Sequence, residues 1–197
     1  MASLTIDPRK TALVLIDLQQ GIVGRPCAPH SGPEVVQNAA RLAAKFRALG
    51  ATVVLVRVAF HPDARDALRV PADMAAPFNP GALPANWAEL APELGSQPSD
   101  LLITKRQWGA FHGTELDLQL RRREVRTIVL GGISTNIGVE STARSAYEHG
   151  YAQIFAEDAM ASQSAEMHAF AVKNIFPRIG HVRSTAEVLA ALAAPAA

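Results

Sequence analysis

Thr127-Ile128-Val129-Leu130-Gly131-Gly132-Ile133-Ser134-Thr135-Asn136-Ile137-Gly138-Val139-Glu140-Ser141-Thr142-Ala143-Arg144 is the stretch that decides the fold. It begins as a short β-branched and aliphatic run, passes two glycines and a row of hydroxyl and amide side chains, and continues toward Gly150. The reading is a strand over 127–130, a tight turn, and a helix over about 136–149 closed by glycine. A strand this short and this apolar, with no polar alternation, is buried on both faces. Such strands belong to parallel sheets covered by helices.

The same alternation extends outward in both directions. Upstream, Thr11–Ile16, Thr52–Val58 and Leu101–Thr104 read as strands. A helix lies over Glu34–Leu49, with Val35, Ala39, Leu42 and Phe46 on one stripe, Ser31-Gly32-Pro33-Glu34 as its start and Gly50 as its stop. Another helix spans about Thr114–Arg123. Downstream, strands are expected at Gln153–Ala156 and Ile179–Val182, with a helix over about Ala165–Phe176 between them. Ser184-Thr185-Ala186-Glu187 is a capping box that opens a last helix, and the Ala-rich end after Leu192 is expected to fray.

Six short strands alternating with helices predict a single-domain α/β/α sandwich around a mostly parallel, doubly wound, Rossmann-like sheet. One stretch breaks the pattern. Residues 59–99 are rich in Pro and Ala, carry Trp87, and are too long for an ordinary connection. They are either a packed excursion or a lid.

Composition narrows the function. A chain of 197 residues with 49% hydrophobic and 19% charged residues and a net charge of +1 has the balance of a globular protein, with no clustered basic face for nucleic acid. Arg121-Arg122-Arg123, the one basic run, falls at a predicted helix C-terminus, where cations complement the dipole. The single cysteine, Cys27, excludes an intramolecular disulfide. Met1–Lys10 lacks the apolar core of a secretory signal, and no apolar run is long enough to span a bilayer. A cytoplasmic chain without membrane or nucleic-acid partners is the expectation.

Doubly wound sheets bind ligands outside the carboxyl ends of their strands. The polar residues there are few: Asp17 after the first strand, Lys105 after the third, Ser134, Thr135 and Asn136 after the fourth, Glu157 and Asp158 after the fifth. Each alone reads as a turn residue or a solvated charge. Together, a lysine beside a carboxylate holds the acid ionised or shares its proton, which suits general acid–base work. Glu157 and Asp158 are read as ties for the following loop.

Three motifs add to this: Asp17-Leu18-Gln19, Lys105 followed by Gly109-Ala110-Phe111-His112-Gly113-Thr114-Glu115-Leu116, and the turn Gly131–Arg144. In order and spacing they resemble the isochorismatase-like cysteine hydrolases, whose third motif runs roughly G-I-x-T-x-x-C-V-x-x-T-A. Gly138 stands where that pattern has cysteine, and a glycine has no side chain with which to attack a carbonyl. The chain is similar in particular to a bacterial subgroup reading K-R-Q-W-G-A-F and G-I-S-T-N-I-G-V-E-S-T-A-R.

The resemblance implies that Asp17 is the general acid–base and that Lys105 holds it and helps stabilise negative charge. It places Gln19 among the substrate-binding groups. It puts an oxyanion hole at the backbone N–H groups of Ser134 and Gly138, beside a cis peptide at Ile133-Ser134. Such backbone donors survive loss of a cysteine side chain. It also implies a self-associating protein, a dimer or tetramer.

Other residues carry two readings. Trp108 and Phe111 line the pocket or anchor the core. His61 and Asp63 lack the Asp-x-His spacing of the metal-binding nicotinamidase branch, and the six histidines are scattered, so neither metal nor other cofactor is expected. Cys27 reaches the same sheet edge but has no activating base near it in sequence, and reads as an incidental loop thiol. Two functions follow. One is a hydrolase acting on a small molecule through water, as isochorismatase does with glycine at this place. The other is a silent ligand-binding or assembly module. The Tyr-Ala-His of isochorismatase is Ser134-Thr135-Asn136 here, which leans to the amidase side.

Overall fold

The computed structural model describes residues 4–74 and 80–192. Its six strands are β1 (Thr11–Ile16), β2 (Thr52–Val58), β3 (Leu101–Lys105), β4 (Thr127–Ile133), β5 (Ala152–Ala161) and β6 (His181–Arg183). They form one sheet in the order β3-β2-β1-β4-β5-β6, and every neighbouring pair is parallel. The helices are α1 (Gln20–Val23), α2 (Gly32–Ala48), α3 (Leu116–Arg122), α4 (Glu140–Glu148), α5 (Ala165–Phe170), α6 (Phe176–Ile179) and α7 (Thr185–Ala191).

Alternation along β1 builds the two cores. Leu13 and Leu15 pack with Val35, Leu42 and Phe46 of α2 and Val188 of α7. Ala12, Val14 and Ile16 point the other way, toward Leu120 of α3, Ala143 of α4 and Phe176 of α6. Both faces are covered, so all six residues of β1 are buried. That is why the strand reads as an unbroken apolar run.

The chain winds outward from β1 to β3 and then returns to lay β4 on the other side of β1. Strand order therefore reverses between β1 and β4, and the crevice at their carboxyl ends is the natural ligand site. Gly132 makes that junction close. Its φ is 130°, and a Cβ there would lie 2.1 Å from the Ile16 carbonyl oxygen. No side chain fits at this position.

Several boundaries differ from the sequence reading. β4 continues through Gly131 and Gly132, whose lack of side chain hid the strand but allows the pairing. β5 is twice interrupted in hydropathy by Glu157 and Asp158, yet the strand carries on through a bulge. β4 advances from Leu130 to Gly132 while β5 advances from Phe155 to Met160. Residues 135–139 form a π-helical turn ahead of α4, and a second π turn, Ala171–Ile175, joins α5 to α6. That run continues past Phe176 because Pro177 sits in the first turn of α6, where its missing N–H is no loss. The expected frayed tail after Leu192 lies outside the described residues.

The 59–99 stretch divides. Its later part is packed: Gln20 N donates to Glu89 O, Gly21 N to Trp87 O and Ala91 N to Leu18 O, at 2.8, 3.1 and 2.9 Å. Arg47 of α2 fixes its end through a paired hydrogen bond to Asp100, at 3.0 and 2.7 Å. Its earlier part, through Met74, walls the site described next.

Candidate active site

Asp17 follows β1 directly at the reversal of strand order. It takes a left-handed backbone, φ 54°, which is uncommon outside glycine and least costly for Asp and Asn. Its N–H donates to Val56 O of β2 at 2.9 Å, which pins the turn. Lys105 closes β3, and its Nζ donates to Asp17 Oδ2 at 2.7 Å. Both side chains are buried. The same ammonium donates to the carbonyls of Gln107 and Trp108 at 3.1 and 2.7 Å.

These contacts set the chemistry. An ammonium has three N–H groups, and all three of Lys105 are occupied. Lys105 therefore anchors the acid, with its three N–H groups given to Asp17 and to the carbonyls of Gln107 and Trp108. Burial pushes the Asp17 carboxyl up to about 6, against the opposing pull of the Lys105 charge and hydrogen bond. Oδ1 of the same carboxyl is buried and has no hydrogen-bond partner among the described residues.

Gly138 lies in the 135–139 turn, directly over this pair. A Cβ at Gly138 would lie 3.1 Å from Ile16 Cγ2, 3.2 Å from Asp17 Oδ2 and 3.5 Å from Lys105 Nζ. Thr142 Oγ1 donates to Gly138 O at 2.7 Å and secures the turn on α4. The peptide bond Ile133–Ser134 is cis, at the expected position. Asp17, Lys105, Ser134, Ile137, Gly138 and Trp108 line one cavity of about 770 Å³.

Two expected site residues are elsewhere. Gln19 is fully buried and does not line the cavity. Its Nε2 donates to the carbonyls of Val58 and Trp87 at 3.1 and 3.0 Å, and its Oε1 accepts from Val58 N at 2.9 Å. It is a bracket between β1, β2 and the packed part of 59–99. Phe111 is also buried in the core, 5.1 Å from the His149 ring and 5.8 Å from Tyr151 by centroids. Trp108 alone of the two aromatics faces the cavity, exposed at its rim.

Cys27 does line the cavity, but its thiol donates to Arg25 O at 3.3 Å and burial pushes its pKa up, so it is held as the neutral thiol. The sequence reading missed Arg25 and Arg69, which line the same space with guanidinium groups that have no hydrogen-bond or ion-pair partner among the described residues. It also missed the apolar rim of Leu68, Val70 and Met74. No motif spacing links these residues to Asp17.

Asp158 ties a loop as expected, accepting from Thr185 N and Oγ1 at 2.6 and 2.7 Å at the start of α7. Glu157 does not. It lies between His30 and His168, which hold its carboxyl below the usual range, His168 contributing most. His61 is an exposed loop residue whose Nδ1 lies 3.0 Å from Asp63 Oδ1.

Comparison with known proteins gives the family and the fold. The isochorismatase domain matches residues 11–187. The isochorismatase family protein YecD of Escherichia coli is 53% identical over 189 residues, covering 96% of this chain and 100% of that protein. The ureidoacrylate amidohydrolase RutB of Methylobacterium radiotolerans is 30% identical, covering 98% of this chain and 83% of that protein. The structure of an isochorismatase family protein from Burkholderia thailandensis superposes with a TM-score of 0.91 at 49% identity, covering 97% of this chain and 99% of that one. The chain belongs to the isochorismatase family of hydrolases.

Proposed function

We propose that this protein hydrolyses a small, carboxylate-bearing molecule by direct attack of water, with Asp17 as general acid and no covalent enzyme intermediate. The observation that carries the reading is the convergence at Gly138. The Cβ position there touches both Asp17 and Lys105, so a nucleophilic side chain would stand in contact with the acid, and glycine leaves that space to the substrate or to water.

Asp17, with its carboxyl near 6, gives its proton to the leaving group as that bond breaks. The oxygen of water bonds to the electrophilic carbon, and a proton from that water restores the acid. Negative charge that develops on the substrate is met by the backbone N–H groups of Ser134 and Gly138. Arg25 and Arg69 bind the substrate carboxylate, since each is an uncommitted cation on the cavity wall. Cys27 takes no part.

The resemblance to ureidoacrylate amidohydrolase puts ureido and amide acids on the test panel, beside vinyl ethers such as isochorismate. Purified protein and its Asp17→Asn variant are assayed against that panel. Turnover by the parent and none by the variant supports the reading, and turnover that persists in Asp17→Asn removes the acid role. Saturable binding without turnover across the whole panel identifies a silent binding module instead.

A further inference from the structure

Glu157 sits in the β5 bulge, His30 in the loop after α1, and His168 in α5. Their ligating atoms lie within 4.8 Å of one another. His30 Nε2 and His168 Nε2 each stand 3.8 Å from Glu157 Oε2. That is beyond hydrogen-bond reach, so the three groups face one another without bonding. Around a tetrahedral zinc ion, with bonds of about 2.0–2.1 Å, such atoms stand roughly 3.4 Å apart. The two His–Glu separations stand a few tenths of an ångström beyond that spacing, and all three ligand atoms lie within 4.8 Å of one another.

The surroundings suit that use. His168 is buried, and its Nδ1 lies 2.9 Å from Thr135 Oγ1, itself fully buried. This contact fixes the ring with Nε2 toward Glu157, as an outer partner does for a metal-binding imidazole. His30 is held in place because its loop is docked on the end of β5, with Ala28 N to Ser162 O at 2.8 Å and Ser162 N to Ala28 O at 2.9 Å. The His30 and His168 rings meet edge to face, 6.0 Å between centroids.

We infer that His30, Glu157 and His168 form a site for a divalent transition ion of the zinc type. Two imidazoles and one carboxylate are a borderline-soft set suited to Zn²⁺ or Co²⁺ rather than Mg²⁺ or Ca²⁺, and three protein ligands leave a fourth position open. The ion would tie the loop carrying Arg25 and Cys27 to β5 and α5, and through Thr135 to the turn that holds Gly138. It fastens one wall of the cavity and stands apart from Asp17 and Lys105. The inference does not depend on the hydrolase reading.

The test uses untagged full-length protein stripped of metal by chelation, titrated with Co²⁺ and followed by its visible absorption, then displaced by Zn²⁺. One ion per chain is expected, with the intense visible bands of a low-coordinate cobalt site. His30→Ala and Glu157→Gln are expected to weaken binding by at least about 100-fold, and Thr135→Val by about 10-fold. Cys27→Ser should bind like the parent, and His30, being half-buried, can be truncated without opening the core. Absence of saturable one-to-one binding would overturn the site. So would equal affinity in the parent and His30→Ala, or binding lost only in Cys27→Ser.

Discussion

Lys105 Nζ lies 2.7 Å from Asp17 Oδ2, between residues 88 positions apart in the chain, and both groups are buried. Among the described residues neither charge has a second partner of opposite sign, so each depends on the other. Lys105→Met leaves Asp17 buried with no counter-charge. Breaking a buried pair on one side costs about 3–5 kcal/mol, and chemical denaturation of Lys105→Met is expected to show a loss of that size. The double variant Asp17→Leu/Lys105→Met should recover part of it, since no lone charge then remains.

The acid's pKa gives a pH dependence with a definite sign. Burial raises the Asp17 carboxyl to about 6, so the protonated form required of a general acid dominates below that value. The expected kcat/KM is level on the acid side of 6 and falls about tenfold per pH unit above it. A profile flat from pH 5 to 8 would remove the role given to this proton.

Gly138→Cys restores a thiol beside the acid and the ammonium. Its Cβ would press Ile16 Cγ2 at 3.1 Å, so a modest loss of stability, about 1–3 kcal/mol, is expected from overpacking. In a Cys27→Ser background the new thiol should react with iodoacetamide faster than Cys27 does in the parent, because a lysine ammonium stands 3.5 Å from its Cβ position. Mass spectrometry of the labelled chain reads this directly. No gain in reactivity would dissociate residue 138 from the nucleophile position.

Gln19→Leu separates scaffold from substrate contact. The substitution strips Val58 N and the carbonyls of Val58 and Trp87 of their partner. Each buried group left unpaired costs about 1–3 kcal/mol. A lower Tm with KM unchanged is expected at a temperature where the variant is folded. A raised KM with Tm intact would restore Gln19 to the substrate.

Much of the fold was legible because both sheet faces are covered. β1 and β2 were read to the residue, since an apolar run bounded by polar turns is what a doubly buried strand leaves in a sequence. Gly131-Gly132 and Glu157-Asp158 broke the apolar signal in β4 and β5, where close approach and a bulge, not burial of side chains, set the residue type. Of the candidate site, Asp17, Lys105 and Ser134 were legible from their places at the carboxyl ends of strands, and Gly138 from the motif resemblance of its turn. Phe111 was not separable from Trp108 by sequence, since an aromatic near a strand end fits core and cavity alike. His30, Glu157 and His168 come from a loop, a bulge and a helix, with no periodicity to join them, and only the folded chain brings them together.

Oδ1 of Asp17 has no hydrogen-bond partner among the described residues. With Oδ2 anchored by Lys105, the two oxygens of the carboxyl are inequivalent, and on the proposed acid role the proton to be given is carried by Oδ1. Delivery then comes from a single direction fixed by the sheet. Where the atom protonated is a prochiral carbon, reaction in D₂O should place deuterium on one face only, giving a product of one handedness.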